Sequence, residues 1–215
     1  MGITALVFDF DGLLMDTETT ALASWRYEWR QHGLDLDEAT FFADHGGDVS
    51  DLRYAKLAEA VGAGYDRESS HARRIAHRDE LNAELQLAPG VVDWLTEAQD
   101  LGLRLAVASS SPSSWVRGLL SRSGFLDRFE VLACGDEVDG HKPDPAVYLL
   151  ALRRLRLAAS RAVAFEDTPH GVAAAKAAGM RCVAIPNPFA APSRFGAADV
   201  VLSTAQGVPL TNVLS

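Results

Sequence analysis

The chain has 215 residues, 20 basic and 29 acidic, for a formal net charge of −9; it is long enough to bury a real core and too acidic to grip a phosphate backbone through a basic face. Hydrophobic residues are 48% and charged residues 23%, as in ordinary soluble folds, and no long apolar-poor stretch invites disorder. No apolar run reaches the roughly 18 residues of a membrane span, the basic start of a secretory signal is missing, and Ala5 and Leu6 stand where a myristoylation signal needs Ser or Thr.

The first predicted element is a strand over Ile3–Phe10, which runs into Asp9-Phe10-Asp11-Gly12. In extended chain an i, i+2 spacing sends both carboxylates to one side, and Gly12 lets the backbone turn sharply after them. Two carboxylates at the end of an apolar strand call for a compensating charge. A hard divalent cation such as Mg²⁺ prefers such oxygen ligands. From Thr17 to Leu87 the strand pattern disappears. That stretch reads as helices over Thr19–His32, Asp51–Val61 and Ser69–Leu85, punctuated by Gly62-Ala63-Gly64 and Leu87-Ala88-Pro89-Gly90. Residues 17–87 are therefore expected to form a helical subdomain inserted into an α/β core domain of 1–16 and 88–215. The i, i+4 pair Trp25 and Trp29 is expected to pack this insert against the core domain.

Beyond the insert, short apolar runs return at Leu103–Ser109, Val131–Cys134, Ala162–Phe165, Cys182–Ile185 and Asp199–Leu202. Their hydrophobicity is nearly continuous, as parallel strands covered on both faces require. Helical stripes lie between them: Val116, Leu119 and Leu120, then Val147, Leu150, Ala151 and Leu155. The alternation predicts an α/β fold with a doubly wound parallel sheet. Ser111-Pro112, Asp144-Pro145 and Thr168-Pro169 each read as a helix start, a cap followed by Pro. In an open α/β sheet such N-termini gather at the carboxyl edge of the strands, where their free N–H groups receive anions.

The same edge collects the residues with chemistry. Ser109-Ser110-Ser111 follows a strand and offers hydroxyls to phosphate oxygens, although turn and capping use explains a Ser triplet equally. Lys142 sits between His141 and Pro143 on backbone that proline stiffens, a fixed positive charge. A second acidic pair, Glu166-Asp167, ends the strand Ala162–Phe165. If the strands bearing Asp9 and Glu166 are neighbours, four carboxylates converge and a metal site follows from charge alone. Read separately, the acids are helix caps or solvated loop charges. Pro186-Asn187-Pro188 ends a further strand at this edge and shapes it. Cys134 and Cys182 both lie in apolar runs and read as buried reduced thiols, which points to the cytoplasm.

Taken together, DFDGLLMDTE, Ser109 after an apolar strand, Lys142 in KPDP, and FEDTPHGVAAAKAAG resemble the signature motifs of the haloacid dehalogenase-like (HAD) hydrolase superfamily. The helical insert resembles the α-helical cap of the subgroup with phosphoglycolate phosphatases and β-phosphoglucomutases. The resemblance implies a Rossmann-like HAD core and a Mg²⁺-dependent phosphatase that forms an aspartyl-phosphate. In it Asp9 is the nucleophile and Asp11 the general acid and base. Ser109, Ser110 and Lys142 hold the phosphoryl group. Asp9, Asp11 through its backbone carbonyl, Asp167 and Glu166 bind the metal. Asp11 argues against dehalogenation, since haloacid dehalogenases lack the second Asp. The only cap lysine, Lys56, does not resemble the Schiff-base lysine of phosphonoacetaldehyde hydrolases. Ala21 and Val49 stand where mutases resembling β-phosphoglucomutase carry His and Arg, which leaves phosphomutase chemistry as the alternative. A phospho-Asp signalling or binding protein is a second alternative, against which the long helical insert counts. The expected substrate is a small phosphorylated metabolite such as a sugar phosphate, taken by a monomer without nucleic acid or membrane partners. His45, Gly46, Gly47, Arg53, Arg74 and Arg78 are the cap's candidates for selecting it.

Overall fold

A computed structural model describes residues 2–41, 50–187 and 189–215. All six strands predicted from the sequence form; the one from Ala162 runs a residue longer, to Glu166, the one around Cys182 starts a residue earlier, at Arg181, and the other four are shorter than predicted. The six are β1 (Ala5–Phe8), β2 (Arg104–Ala108), β3 (Val131–Ala133), β4 (Ala162–Glu166), β5 (Arg181–Ala184) and β6 (Val200–Val201). They make one six-stranded sheet in the order β3-β2-β1-β4-β5-β6, with every pair parallel. The chain winds outward from β1 to β3 on one side, then returns to β4 and winds outward on the other. The direction of winding reverses between β1 and β4, the place where ligands bind in such sheets.

The chain divides into two compact units, Met1–Asp16 with Gln86–Ser215, and Thr17–Leu85. In the first, the sheet is covered on both faces, which is why its strands carry few polar residues. Val7, Ala106 and Ala164 point to a core shared with Tyr148, Leu155, Val172 and Ala175, from α7 (Ala146–Leu155) and α8 (Pro169–Ala177). Their chain neighbours point the other way. Phe8 stacks on Phe165 with centroids 4.7 Å apart, and Trp94 of α5 (Val91–Asp100) closes over Phe165 at 5.1 Å. A further helix, α6 (Ser113–Arg122), follows β2. It begins one residue later than the sequence suggests, with Pro112 rather than Ser111 at its cap. At α8 the expected start holds: Thr168 caps the helix, its hydroxyl accepting from Gly171 N–H at 3.1 Å.

The second unit is helical: α1 (Thr17–Gln31), α2 (Glu38–Phe41), α3 (Ser50–Val61) and α4 (Arg67–Ala83). Trp25 packs on Tyr54 at 4.5 Å and on Phe41 at 6.5 Å, both of this unit. Glu28, fully buried, is held by Arg73 at 2.6 Å and faces His32 at 3.2 Å. Among the described residues, no helix is long and apolar enough to cross a membrane.

Candidate active site

Strand register builds the site. Phe8 pairs with Val107 on one side and Phe165 on the other, so the next residue, Asp9, must emerge beside Ala108 and Glu166. Its N–H continues the pairing by donating to Phe165 O at 2.9 Å. Asp9 is buried and receives Lys142 Nζ on Oδ1 at 2.5 Å. The same ammonium donates to Glu166 Oε1 at 2.6 Å and to the Ala108 carbonyl at 2.9 Å. Lys142 thus spends its three N–H bonds on the ends of three adjacent strands.

Glu166 is fully buried and fully engaged. Tyr148 donates to its Oε1 at 2.6 Å, and Asp167 N–H approaches Oε2 at 3.2 Å. Gly171 makes room for it, since a Cβ at that position would lie 1.9 Å from Glu166 Oε2. Asp167, also buried, accepts from Asn187 Nδ2 at 2.9 Å, and Asn187 N–H returns to the Asp167 carbonyl at 3.3 Å.

Asp11 leaves the strand on a tight turn. Met15 N–H donates back to Phe10 O, and Gly12, at a φ of 81°, donates to Met15 O. That left-handed φ suits glycine. The Asp11 carboxylate takes Ser111 Oγ on Oδ2 at 2.6 Å and the Trp115 indole N–H on Oδ1 at 2.9 Å. Ser109, buried, accepts from Ser111 N–H at 3.0 Å and lies 3.4 Å from Asp11 Oδ2.

Burial pushes the Asp9 carboxyl up to about 7, with Glu166 and Asp11 adding to the rise and Lys142 opposing it. Burial works against the charge on Lys142, but Asp9 and Glu166 outweigh it and its affinity for the proton rises. Asp9, Glu166 and Asp167 bring ligand oxygens within 4.8 Å of one another. Lys142 pairs with two of these buried carboxylates, Asp9 and Glu166, while Asp167 accepts from Asn187, and the three form an all-oxygen set that suits a divalent ion. Because Glu166 already serves Lys142 and Tyr148, Asp9 and Asp167 fit that ion best.

The sequence-predicted residues Asp9, Asp11, Ser109, Lys142, Glu166 and Asp167 meet at this edge. Ser110 is exposed, and its neighbour Ser111 turns to Asp11. Tyr148, Trp115 and Asn187 complete the cluster and carry no local signal for it, except that Asn187 was placed at the edge by its strand. Arg74 is buried in the helical unit, its Nε on Tyr54 Oη at 2.7 Å and its guanidinium over Trp25 at 4.5 Å. Arg53 lies 3.8 Å over the Phe41 ring, and Arg78 is half-buried. His45, Gly46 and Gly47 lie outside the described residues. A second acidic group, Cys134 with Asp136 and Glu137, is spent on structure. Asp136 holds Ser113 at the start of α6, and Glu137 pairs with Arg154 at 2.7 Å. Burial pushes the Cys134 thiol up to about 11 and that of Cys182 to about 12, which keeps both unreactive.

A family model described as haloacid dehalogenase-like hydrolase matches residues 6–185. Protein CbbY of Rhodobacter capsulatus is 36% identical over 93% of this chain and 92% of its own. A phosphorylated carbohydrates phosphatase of Thermotoga maritima is 33% identical over 82% of each. Among solved structures, an aspartate-to-asparagine variant of CbbY from Rhodobacter sphaeroides in complex with xylulose-(1,5)bisphosphate superposes with a TM-score of 0.76. It is 31% identical, over 95% of this chain and 96% of that one.

Proposed function

The chain belongs to the haloacid dehalogenase-like hydrolase family, and from that premise we propose that it hydrolyses small phosphorylated carbohydrates through a phosphoryl group carried on Asp9. The observation that carries this reading is the convergence of Asp9, Lys142, Glu166 and Asp167 where the winding of the sheet reverses. Relatives whose names specify phosphorylated carbohydrates or hexitols support the substrate class.

With Oδ1 on Lys142, Asp9 presents its other oxygen to phosphorus. The Asp9–phosphorus bond forms as the ester bond breaks, and Asp11 gives the leaving alcohol its proton. Water then attacks the aspartyl-phosphate, Asp11 takes the water's proton, and inorganic phosphate departs. Lys142, its ammonium between Asp9 and Glu166, offsets the charge that builds on the phosphoryl oxygens, and Ser109 and Ser111 offer them hydroxyls. Asp9, Asp167 and the backbone carbonyl of Asp11 would hold Mg²⁺. When bound, that ion supplies positive charge to the phosphoryl oxygens. The helical unit is the substrate-selecting cap, and Asn187 steadies Asp167 in the core unit.

The test is Mg²⁺-dependent phosphate release from a panel of sugar and polyol phosphates, with Asp9→Asn alongside. Turnover by the wild type, and loss of at least a thousandfold in the variant, is expected for a nucleophile. Full activity in Asp9→Asn would overturn the assignment. Interconversion of a hexose 1-phosphate and its 6-isomer without phosphate release would assign a mutase instead.

A further inference from the structure

Asp11 is gripped by two donors of different character. Ser111 Oγ donates to Oδ2 at 2.6 Å. A hydroxyl rotates freely and accepts as readily as it donates, so a phosphoryl oxygen arriving at Ser109 and Ser111 can claim it and release Oδ2. Trp115 Nε1–H donates to Oδ1 at 2.9 Å. An indole N–H only donates. Its ring stands half-buried on the first turn of α6, next to the buried Val116. The grip on Oδ1 therefore outlasts the grip on Oδ2 when substrate enters.

We propose that Trp115 is a positioning residue for Asp11. By pinning Oδ1 it makes Oδ2 the oxygen that exchanges protons with the reacting groups. This rests on the phosphatase reading above. In the first step the ester P–O bond breaks as Asp9 bonds to phosphorus, and the proton on Asp11 Oδ2 passes to the leaving oxygen. In the second the water–phosphorus bond forms as the Asp9–phosphorus bond breaks, and the water's proton returns to Oδ2. No other donor or acceptor is needed, and both transfers use the one oxygen whose position Trp115 sets.

Two esters separate this role from a merely structural one. Glycerol phosphate needs a proton on its leaving alkoxide, whereas p-nitrophenyl phosphate departs as a stable phenolate without one. For both, kcat/KM reports events up to the phosphorylation of Asp9. Trp115→Phe keeps an aromatic ring and deletes the N–H. Its ratio of kcat/KM for glycerol phosphate to that for p-nitrophenyl phosphate is expected to fall roughly tenfold, part of the range that acid–base catalysis spans. Trp115→His, which keeps a ring N–H, is a second variant expected to fall less. Loss of fold would depress both esters together and is read independently by thermal melting. An unchanged ratio in both variants, or an equal fall on both esters in folded protein, overturns the role of Trp115 and leaves the phosphatase reading standing. A wild type that releases phosphate from neither of these esters nor from any sugar or polyol phosphate of the panel in Mg²⁺ overturns both.

Discussion

Lys142 illustrates how one side chain is fixed by what surrounds it. Its ammonium reaches Asp9 at 2.5 Å and Glu166 at 2.6 Å in a largely buried pocket. Placing three charges in such a pocket costs several kcal/mol per ion, and the arrangement holds only because each compensates another. Lys142→Met breaks that compensation. It is expected to cost roughly 3–5 kcal/mol of stability, because two buried carboxylates then face each other unpaired. Adding Glu166→Gln removes one of those charges and should recover part of the loss in urea unfolding. Phosphate release, by contrast, should stay near background in the double variant, because the positive charge at the phosphoryl group is still gone. A double variant as unstable as Lys142→Met would sink the electrostatic account. Recovered turnover would remove Lys142 from the chemistry. Tyr148 belongs to the same network: it donates to Glu166 at 2.6 Å and its ring faces Lys142 Nζ at 5.1 Å, so its loss weakens Lys142 both directly and through Glu166.

At the scale of strands and helices, the site depends on a close approach. The N-terminus of α8 passes so near the end of β4 that a Cβ on Gly171 would enter the Glu166 carboxylate. Gly171→Ala must therefore push Glu166 off Lys142 or shift the helix start. A cost of about 1–3 kcal/mol is expected, as for other overpacked sites, together with a loss of turnover larger than the fall in thermal stability explains. A variant with wild-type turnover would show that the helix yields cheaply. The same elements show what the sequence could and could not reveal. Continuous apolar runs announce the parallel strands, five of them buried under both faces while Val201 of β6 stays exposed at the sheet edge, and Asp9, Asp11, Glu166 and Asp167 stand out because charge at such strand ends is costly. Thr168-Pro169 marks the start of α8 because a cap and a proline are local signals. Trp115 and Tyr148 have no such signal, whereas Asn187 is legible at the edge only from the strand that Pro186-Asn187-Pro188 ends. Trp115 is separated by 104 residues from Asp11, and only sheet register and helix docking bring each to its partner. A triplet of serines cannot by itself say which hydroxyl turns inward, and here it is Ser111 rather than Ser110. Trp25 followed the same logic in reverse. Its helical spacing suggests packing against the core domain, and the structure shows it packed on Tyr54 and Phe41 of its own unit.

For the whole molecule, the charge left over at the site links ligand binding to folding. Three clustered buried carboxylates, two of them paired with Lys142, concentrate negative charge at one place in a chain whose net charge is −9. A divalent cation that binds only the folded chain stabilises it by about 2.7 kcal/mol at a hundred times its Kd. For a protein of this size, that corresponds to a rise in Tm of roughly 5–10 °C. Calorimetry of the full chain with and without Mg²⁺ is expected to show a rise of this order, with no substrate present. Asp167→Asn should abolish most of it, since it removes a ligand and leaves the rest of the fold in place. Asn187→Ala should keep the full rise but need about 10–100-fold more Mg²⁺ to reach it, the usual effect of losing a group that orients a ligand. Its amide donates to Asp167 at 2.9 Å and contributes no carboxylate of its own. The order of these three proteins along the Mg²⁺ axis is the decisive reading. An Asp167→Asn variant that follows the wild-type curve would place the cation elsewhere, and a wild type whose Tm ignores Mg²⁺ would mean that Lys142 alone balances the site.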